Sequence, residues 1–187
     1  MKKSVLISAI TIFLIIHCCP IFAADSHRFD YYVSAAPLSV HFAESKSRKA
    51  TGYGFEVKNG FEIPAFGHSN ILLGAELSAG ICSFDTYKHF DYSDVIVLGR
   101  VGYRFSLNDR WSVCSSVKGG LFIGNLDRKT NCFGTVGGDV SIDYRFSESE
   151  KLFLSESVVY VFQNNAHSVL LNTGIGLKFA ISGKEKI

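Results

Sequence analysis

The segment HSVLLNTGIGLKF, His167–Phe179, decides the fold that we expect for this chain. From Val169 onward its odd-numbered positions are apolar apart from one threonine: Val169, Leu171, Thr173, Ile175, Leu177 and Phe179. From Asn172 onward its even-numbered positions are small or polar: Asn172, Gly174, Gly176 and Lys178. Successive side chains of a strand point to opposite faces, so this alternation predicts a β-strand with one apolar and one polar face.

The same alternation appears in eight segments of about ten residues. In the first segment, 28–42, the apolar positions are odd-numbered up to Val33 and even-numbered from Leu38, which predicts a β-bulge at Ala36 and Pro37. Tight polar turns are expected at 106–110 and 147–150, and a slightly longer one at 64–69. The opposite set, 44–50, 85–94, 125–135 and 163–166, is mostly longer. An all-β, up-and-down antiparallel meander of eight strands follows.

One short pattern occurs twice, as YRFSLNDRW (Tyr103–Trp111) and YRFSESEKL (Tyr144–Leu152). We interpret each copy as the end of one strand, a tight turn and the start of the next strand at the same depth. Aromatic residues collect at both ends of the strands, which is typical of the two interfaces of a bilayer. The two expected girdles are Tyr103, Phe105, Trp111, Tyr144, Phe146 and Phe179, and Phe84, Phe90, Tyr92, Phe122 and Phe133.

The composition of the polar face indicates which face lies inside. A soluble barrel such as a lipocalin would turn this face to water and fill it with ordinary polar residues. Here the face is rich in glycine and serine, with isolated charges of both signs, which suits a narrow interior where charges must pair. The apolar face would then meet lipid, and a closed barrel would satisfy every backbone polar group. The expected interior charge network is Glu56, Glu76, Arg100, Arg104, Lys118, Asp139, Asp143, Arg145 and Lys178.

The first 24 residues have the pattern of a cleaved signal peptide. Two lysines precede an apolar run from Val5 to Ile16, and small residues follow at Ala23 and Ala24. The run is too short for a spanning helix, and His17 before Cys18 argues against a lipid anchor. Without Lys2 and Lys3 the 19 cations fall to 17, equal to the 17 anions, so we expect no nucleic-acid partner. Residues 25–187 form the predicted barrel.

In these features the chain resembles the small eight-stranded outer-membrane barrels of the OmpA, OmpX and OmpW-like group. The resemblance implies a monomer in the bacterial outer membrane, in contact with its lipids, with both termini and the short turns in the periplasm. It also implies that Gly174, Leu177 and Phe179 form an insertion signal for the barrel assembly machinery. In that group the aromatic residue usually ends the chain, whereas here eight residues follow Phe179.

Three functions are compatible with such a barrel. A non-enzymatic structural, surface-contact or small-solute role is expected, because an eight-stranded interior is filled by side chains or holds one small ligand. A lipid-modifying enzyme is the first alternative, with His167 as its candidate base. Adjacent residues of a strand point apart, however, so His167 and Ser168 cannot readily pair, and the lipid A deacylase pattern that the family implies is not matched. The second alternative, implied by the resemblance to OmpW-like members, is a conduit for small hydrophobic molecules.

Metal and cofactor sites are not predicted. The six histidines are scattered without ligand spacing, and the glycines of 134–138 do not lie between a strand and a helix. Three cysteines remain after the signal segment: Cys82, Cys114 and Cys132. A disulfide between Cys82 and Cys132 is one hypothesis, since both lie near the outer rim and the envelope is oxidising. Three unpaired small residues are the alternative.

Overall fold

The computed structural model describes residues 29–45, 48–65, 68–84, 91–126, 129–163 and 166–181. These residues form one closed antiparallel barrel in which each strand pairs with its neighbour in sequence and the first strand pairs with the last. The predicted signal segment lies outside the described residues. The strands are β1 (Phe29–Ser45), β2 (Arg48–Ala65), β3 (His68–Phe84), β4 (Asp91–Ser106), β5 (Trp111–Leu126), β6 (Lys129–Arg145), β7 (Glu150–Gln163) and β8 (Ala166–Ile181).

The bulge predicted in β1 is present. The register of β1 shifts between Ala36 and Ser39 against β2, and between Ala35 and Leu38 against β8. One extra residue at Pro37 therefore reverses which side chains face inward. Before the bulge Tyr32 and Ser34 are buried, and after it Ser39 and His41 are buried. Proline fits here because a bulge removes the need for its missing N–H in the ladder.

The strands extend further than the sequence pattern predicts. β1 continues to Ser45 and β2 starts at Arg48, while β5 continues to Leu126 and β6 starts at Lys129. The predicted connections 44–50 and 125–135 are therefore mostly strand. Alternation of apolar and polar residues is imposed only where one face meets lipid. Beyond that zone the backbone ladder continues without a hydrophobic pattern to reveal it.

The two repeated turns close by side-chain capping. Oδ1 of Asn108 accepts hydrogen bonds from the backbone N–H groups of Arg110 and Trp111, each at 2.9 Å. In the second turn the Ser147 hydroxyl donates to Oε2 of Glu150 at 3.1 Å. Asn and Ser side chains of this kind replace backbone partners in tight turns. Both short turns lie at one end of the barrel, as predicted.

The outer wall of the barrel is apolar over its middle. Val117 is 67% exposed, Ile81 65% and Val101 55%. At the short-turn end the rings of Trp111 and Tyr144 lie 4.8 Å apart and form part of an aromatic girdle. No helix in the described part of the chain has the length and hydrophobicity needed to cross a membrane.

The second girdle has a different composition from the one predicted. Phe122 is 1% exposed and lies inside the barrel, with Phe133 packed against the same interior cluster. The outward aromatics toward the far end are instead Phe42, Tyr53, Tyr160 and Phe162. Phe90 and the side chain of Tyr92 lie outside the described residues.

Candidate functional site

The interior nearest the short turns is held together by ion pairs. Oδ2 of Asp30 lies 2.7 Å from Nζ of Lys151 and 2.8 Å from Nη2 of Arg104. Lys178 Nζ lies 2.9 Å from Oδ2 of Asp143. These side chains come from five different strands, β1, β4, β6, β7 and β8. The pairs therefore tie opposite walls of the barrel together.

The middle of the interior is organised around Arg100 and Lys118. The Arg100 guanidinium lies 2.8 Å from Glu62 and 3.3 Å from Asp139. Lys118 Nζ lies 2.7 Å from Glu76 and 2.8 Å from Asp139. A buried charge is costly unless it is paired and hydrogen-bonded, so this arrangement lets the charges remain inside.

Tyr32 connects the two halves of this network. Its hydroxyl donates to Oε2 of Glu76 at 2.8 Å and accepts from Nη1 of Arg100 at 3.0 Å. Ser116 also accepts from Arg100, at 3.2 Å, and donates to Asp139. The two hydroxyl groups thus accept N–H groups of Arg100 and donate to carboxylate oxygens of Glu76 and Asp139, which adds hydrogen bonds to those of the ion pairs.

Glycines allow the interior side chains to cross a strand. Tyr32, Gly60 and Glu76 occupy one row over β1, β2 and β3, and a Cβ on Gly60 would lie 2.5 Å from the Tyr32 hydroxyl. Glu62, Gly74 and Arg100 form a second row over β2, β3 and β4. In each row a donor reaches an acceptor above the glycine. Small residues of the inner face therefore make room for long ones.

An apolar cluster lies in the interior on the side away from the short turns. It consists of Ile96, Leu98, Phe122, Val159, Val161 and Leu170, each no more than 3% exposed. The polar centre next to it leaves a cavity of only about 10 Å³, lined by residues that include Tyr32, Lys58 and Glu76. A single water needs at least about that volume. The polar centre and the apolar cluster are therefore both closely packed.

Most of the predicted interior charges lie where the sequence placed them. Glu56, Glu76, Arg100, Arg104, Lys118, Asp139, Asp143 and Lys178 all project into the barrel and form ion pairs there. Arg145 does not, so the prediction that it belongs to the interior network is wrong. It has the parity of an inward residue but is the last residue of β6, so its side chain is exposed at the rim beside Arg110.

Several members of the interior ion-pair network were not in the predicted set. Asp30, Lys58, Glu62 and Lys151 all form buried ion pairs. The alternation of β2 places Lys58 and Glu62 on the face of Glu56, although the predicted network does not include them. Asp30 and Lys151 belong to the two strands with the least regular pattern, which gave little signal.

The candidate enzyme residues are not brought together. His167 points outward and stacks on Tyr160, with ring centroids 6.3 Å apart and planes inclined by 21°. Ser168 is the next residue on the strand and therefore faces the opposite side of the wall. Among the described residues no group of three or more His, Cys, Asp or Glu side chains is arranged to hold a metal ion.

The hypothetical disulfide between Cys82 and Cys132 is contradicted. Cys82 lies inside on β3, whereas Cys132 is exposed on the outward face of β6, and both thiols are free. Two thiols on opposite faces of strands that are not neighbours cannot bond. Cys114 is free and buried in the interior, as its parity predicted.

The predicted insertion signal lies on β8. Gly174 is on its inner face, while Leu177 and Phe179 are on its outer face and pair with Val33 and Tyr31 of β1. The strand continues past Phe179 to Ile181. The role of these residues in insertion stays a prediction.

The overall geometry matches solved membrane barrels. The chain is similar to Neisserial surface protein A (TM-score 0.59, 12% identity), and the match covers 81% of this chain and 96% of that one. The chain has the fold of the small outer-membrane β-barrels. Two further matches are Ail, the attachment invasion locus protein of Yersinia pestis, and OprG from Pseudomonas aeruginosa.

Both of these likenesses are to distant proteins. The Ail structure, a complex with the heparin analogue sucrose octasulfate, has a TM-score of 0.51 and 10% identity, covering 82% of this chain and 99% of that one. For OprG the TM-score is 0.50 and the identity 8%, with 84% and 97% covered. No protein-family model and no curated protein sequence matches the chain. The likeness therefore shows the barrel fold alone.

Proposed function

We propose that this protein is a non-conducting, non-enzymatic barrel of the bacterial outer membrane that acts through its outer rim and loops. The observation that carries the proposal is the filled interior, where an ion-pair network and an apolar cluster lie in series. A solute would have to displace Arg100 and Lys118 from their carboxylates and then pass Phe122. Separating buried ion pairs costs several kcal/mol.

The length of the strands supports a role outside the bilayer. The strands contain 14 to 18 residues, whereas about 9–11 residues suffice to cross a bilayer. The extra residues lie mostly on the side opposite the short turns, where β1, β2, β5 and β6 continue past the apolar belt. A raised rim of this kind places side chains and loops in contact with the surroundings of the cell.

The structural neighbours are consistent with a surface role. One is named as a surface protein and another as an attachment invasion locus protein bound to a heparin analogue. At this level of identity only the fold is shared, so the ligand of this barrel is left open. A cleaved signal peptide over residues 1–24 belongs to the same proposal, because an outer-membrane protein must first be exported.

Planar-bilayer recording of the purified, refolded protein tests the sealed interior. We expect no stepwise current. A portion of each refolded preparation is run on a denaturing gel, once unboiled and once boiled. A folded barrel migrates differently in the two lanes, which shows that the recorded protein is folded. Reproducible current steps from the folded protein would contradict the proposal. In cells, recovery in the outer-membrane fraction with an N-terminus near Asp25 tests export and cleavage.

A further inference from the structure

A third row of the interior repeats the pattern of two polar residues on either side of a glycine. Glu56 of β2 and Asp94 of β4 flank Gly80 of β3, and all three share one level of the barrel. A Cβ on Gly80 would lie 3.0 Å and 3.4 Å from the two carboxylate oxygens of Asp94. The Asp94 carboxylate therefore lies over the glycine.

This row differs from the other two because it contains no donor. Tyr32 donates to Glu76 over Gly60, and Arg100 pairs with Glu62 over Gly74. Glu56 and Asp94 are both acceptors, and their charges repel. This row thus brings two carboxylates together, whereas each of the other two rows pairs a carboxylate with a hydrogen-bond donor.

Several oxygens at this level have no hydrogen-bond partner among the described residues. They are Oε2 of Glu56, both Oδ atoms of Asp94 and Oγ of Ser78, the next inward residue of β3. Glu56, Asp94 and Ser78 are 2%, 3% and 1% exposed. Lys58 lies 3.6 Å from the other Glu56 oxygen and donates to Ser157 across the barrel. Unpartnered oxygens with this degree of burial are costly.

The charges of the described interior do not balance. Seven carboxylates, Asp30, Glu56, Glu62, Glu76, Asp94, Asp139 and Asp143, face six cations, Lys58, Arg100, Arg104, Lys118, Lys151 and Lys178, which leaves a difference of one. Each of these carboxylates except Asp94 has a cationic nitrogen within 4.0 Å. Asp94 is therefore the one carboxylate of this set without a cationic partner among the described residues.

We propose that Glu56, Asp94 and Ser78 form a binding site for a hard divalent cation of the Mg²⁺ or Ca²⁺ class. All the atoms available to bind the ion are oxygens, which these ions prefer as ligands. Two carboxylates with water in the remaining positions are a usual set for Mg²⁺, and Ca²⁺ accepts the same oxygens in a looser geometry. The cation replaces the donor that the other two rows supply from protein.

The site lies beside the apolar cluster, toward the end of the barrel away from the short turns. The next inward residue of β4 is Ile96, which pairs with Phe122 of the apolar cluster. On the β2 side Lys58, which lies 3.6 Å from Glu56 and also lines the polar centre with Arg100, stands between the site and the rest of the network. A bound cation would have to displace Lys58 to move toward Arg100, so the site is compatible with a barrel that does not conduct.

Isothermal titration of the refolded protein in detergent with MgCl₂ or CaCl₂ tests the site directly. Protein stripped with EDTA is used, and NaCl at equal ionic strength serves as the reference. We expect one ion per barrel and a higher thermal midpoint of unfolding when the ion is present. Asp94→Asn is expected to weaken binding by more than about 10-fold, the lower end of the loss seen when an outer-shell partner alone is removed. Ser78→Ala is expected to weaken it less.

The matched control is Asp139→Asn, which removes an interior carboxylate that is already paired with Lys118 and Arg100. This variant should lose stability and keep its affinity for the ion. Two results would overturn the proposal: no binding by the wild-type protein, or unchanged affinity in Asp94→Asn. If the stability of the wild-type protein depended on pH and not on the concentration of MgCl₂ or CaCl₂, the two carboxyl groups would instead share a proton. The wild-type titration remains decisive even where a variant fails to fold.

Discussion

Arg100 of β4 reaches Glu62 of β2 above Gly74, and the guanidinium and carboxylate lie 2.8 Å apart with both side chains almost completely buried. The strand between them contributes no side chain at this level. A buried charge that loses its partner retains its full desolvation cost. The pair should therefore matter most when only one member is removed.

Arg100→Met should lower the free energy of unfolding by about 3–5 kcal/mol, the usual result of breaking one side of a buried ion pair. Glu62→Gln should act in the same direction, and the double variant should lose less than the two single losses combined. Urea unfolding in lipid vesicles, followed by tryptophan fluorescence, measures these effects. The exposed pair of Glu44 and Lys49, 3.0 Å apart, is the control, and Glu44→Gln should change the stability by no more than about 1 kcal/mol. Equal effects at the two sites would show that the interior pair does not hold the walls together.

Phe122 and Leu121 are neighbours in sequence that occupy opposite environments, 1% and 51% exposed. Phe122→Ala should cost about 3–5 kcal/mol, because it opens a cavity among Ile96, Leu98 and the other residues of the apolar cluster. Leu121→Ala should cost clearly less, since lipid fills the space that the shorter side chain leaves. The same unfolding assay compares the two variants. A larger loss for Leu121→Ala would reverse the assignment of inner and outer faces in β5.

The fold could be predicted because the bilayer imposes a period of two on every strand that crosses it. The parity of β8, β6 and β4 was sufficient to place Lys178, Asp139 and Arg100 inside, and the change of parity at Pro37 was sufficient to locate the bulge. Those features depend on local sequence alone. They follow from the backbone geometry of a strand.

Other features depend on the register between strands, which no single strand contains. Arg145 has the right parity, yet its level in the barrel puts it beyond the interior. Phe122 is a different case, because aromatic residues favour both interfaces and cores, and the outward Leu121 beside it already implies that Phe122 faces inward. The rows over Gly60, Gly74 and Gly80 become visible once three strands are aligned. The Glu56 and Asp94 site was missed for that reason.

The three cysteines should differ sharply in reactivity. Cys132 is exposed on the outer wall of β6, near its outer end, whereas Cys82 and Cys114 are buried inside. A membrane-impermeant maleimide applied to intact cells should label Cys132 alone, and denaturation should release the other two. Mass spectrometry of the labelled protein counts the sites, and Cys132→Ser is the control that should remove the signal. Labelling of Cys82 in the folded protein would show that the interior is open.

Glu156 presents a carboxylate on the lipid-facing wall. It lies on β7 between Leu152, which pairs with Tyr144 of the girdle, and Tyr160 toward the other end. Thr173 of β8 donates its hydroxyl proton to Oε1 of Glu156 at 2.8 Å, and both side chains are exposed. Placing an acidic side chain on the lipid face costs less than placing a lysine or arginine there, but still destabilises the barrel.

Replacement of this carboxylate should therefore stabilise the protein. Glu156→Leu should raise the free energy of unfolding in lipid vesicles by on the order of 1 kcal/mol. Thr173→Val in the wild-type background should lower it, because the carboxylate loses its donor in an apolar setting. The same change combined with Glu156→Leu should have little effect, since no acceptor is left, and this double-mutant cycle isolates the contact. A loss of stability in Glu156→Leu would contradict the placement of this carboxylate on the lipid-facing wall.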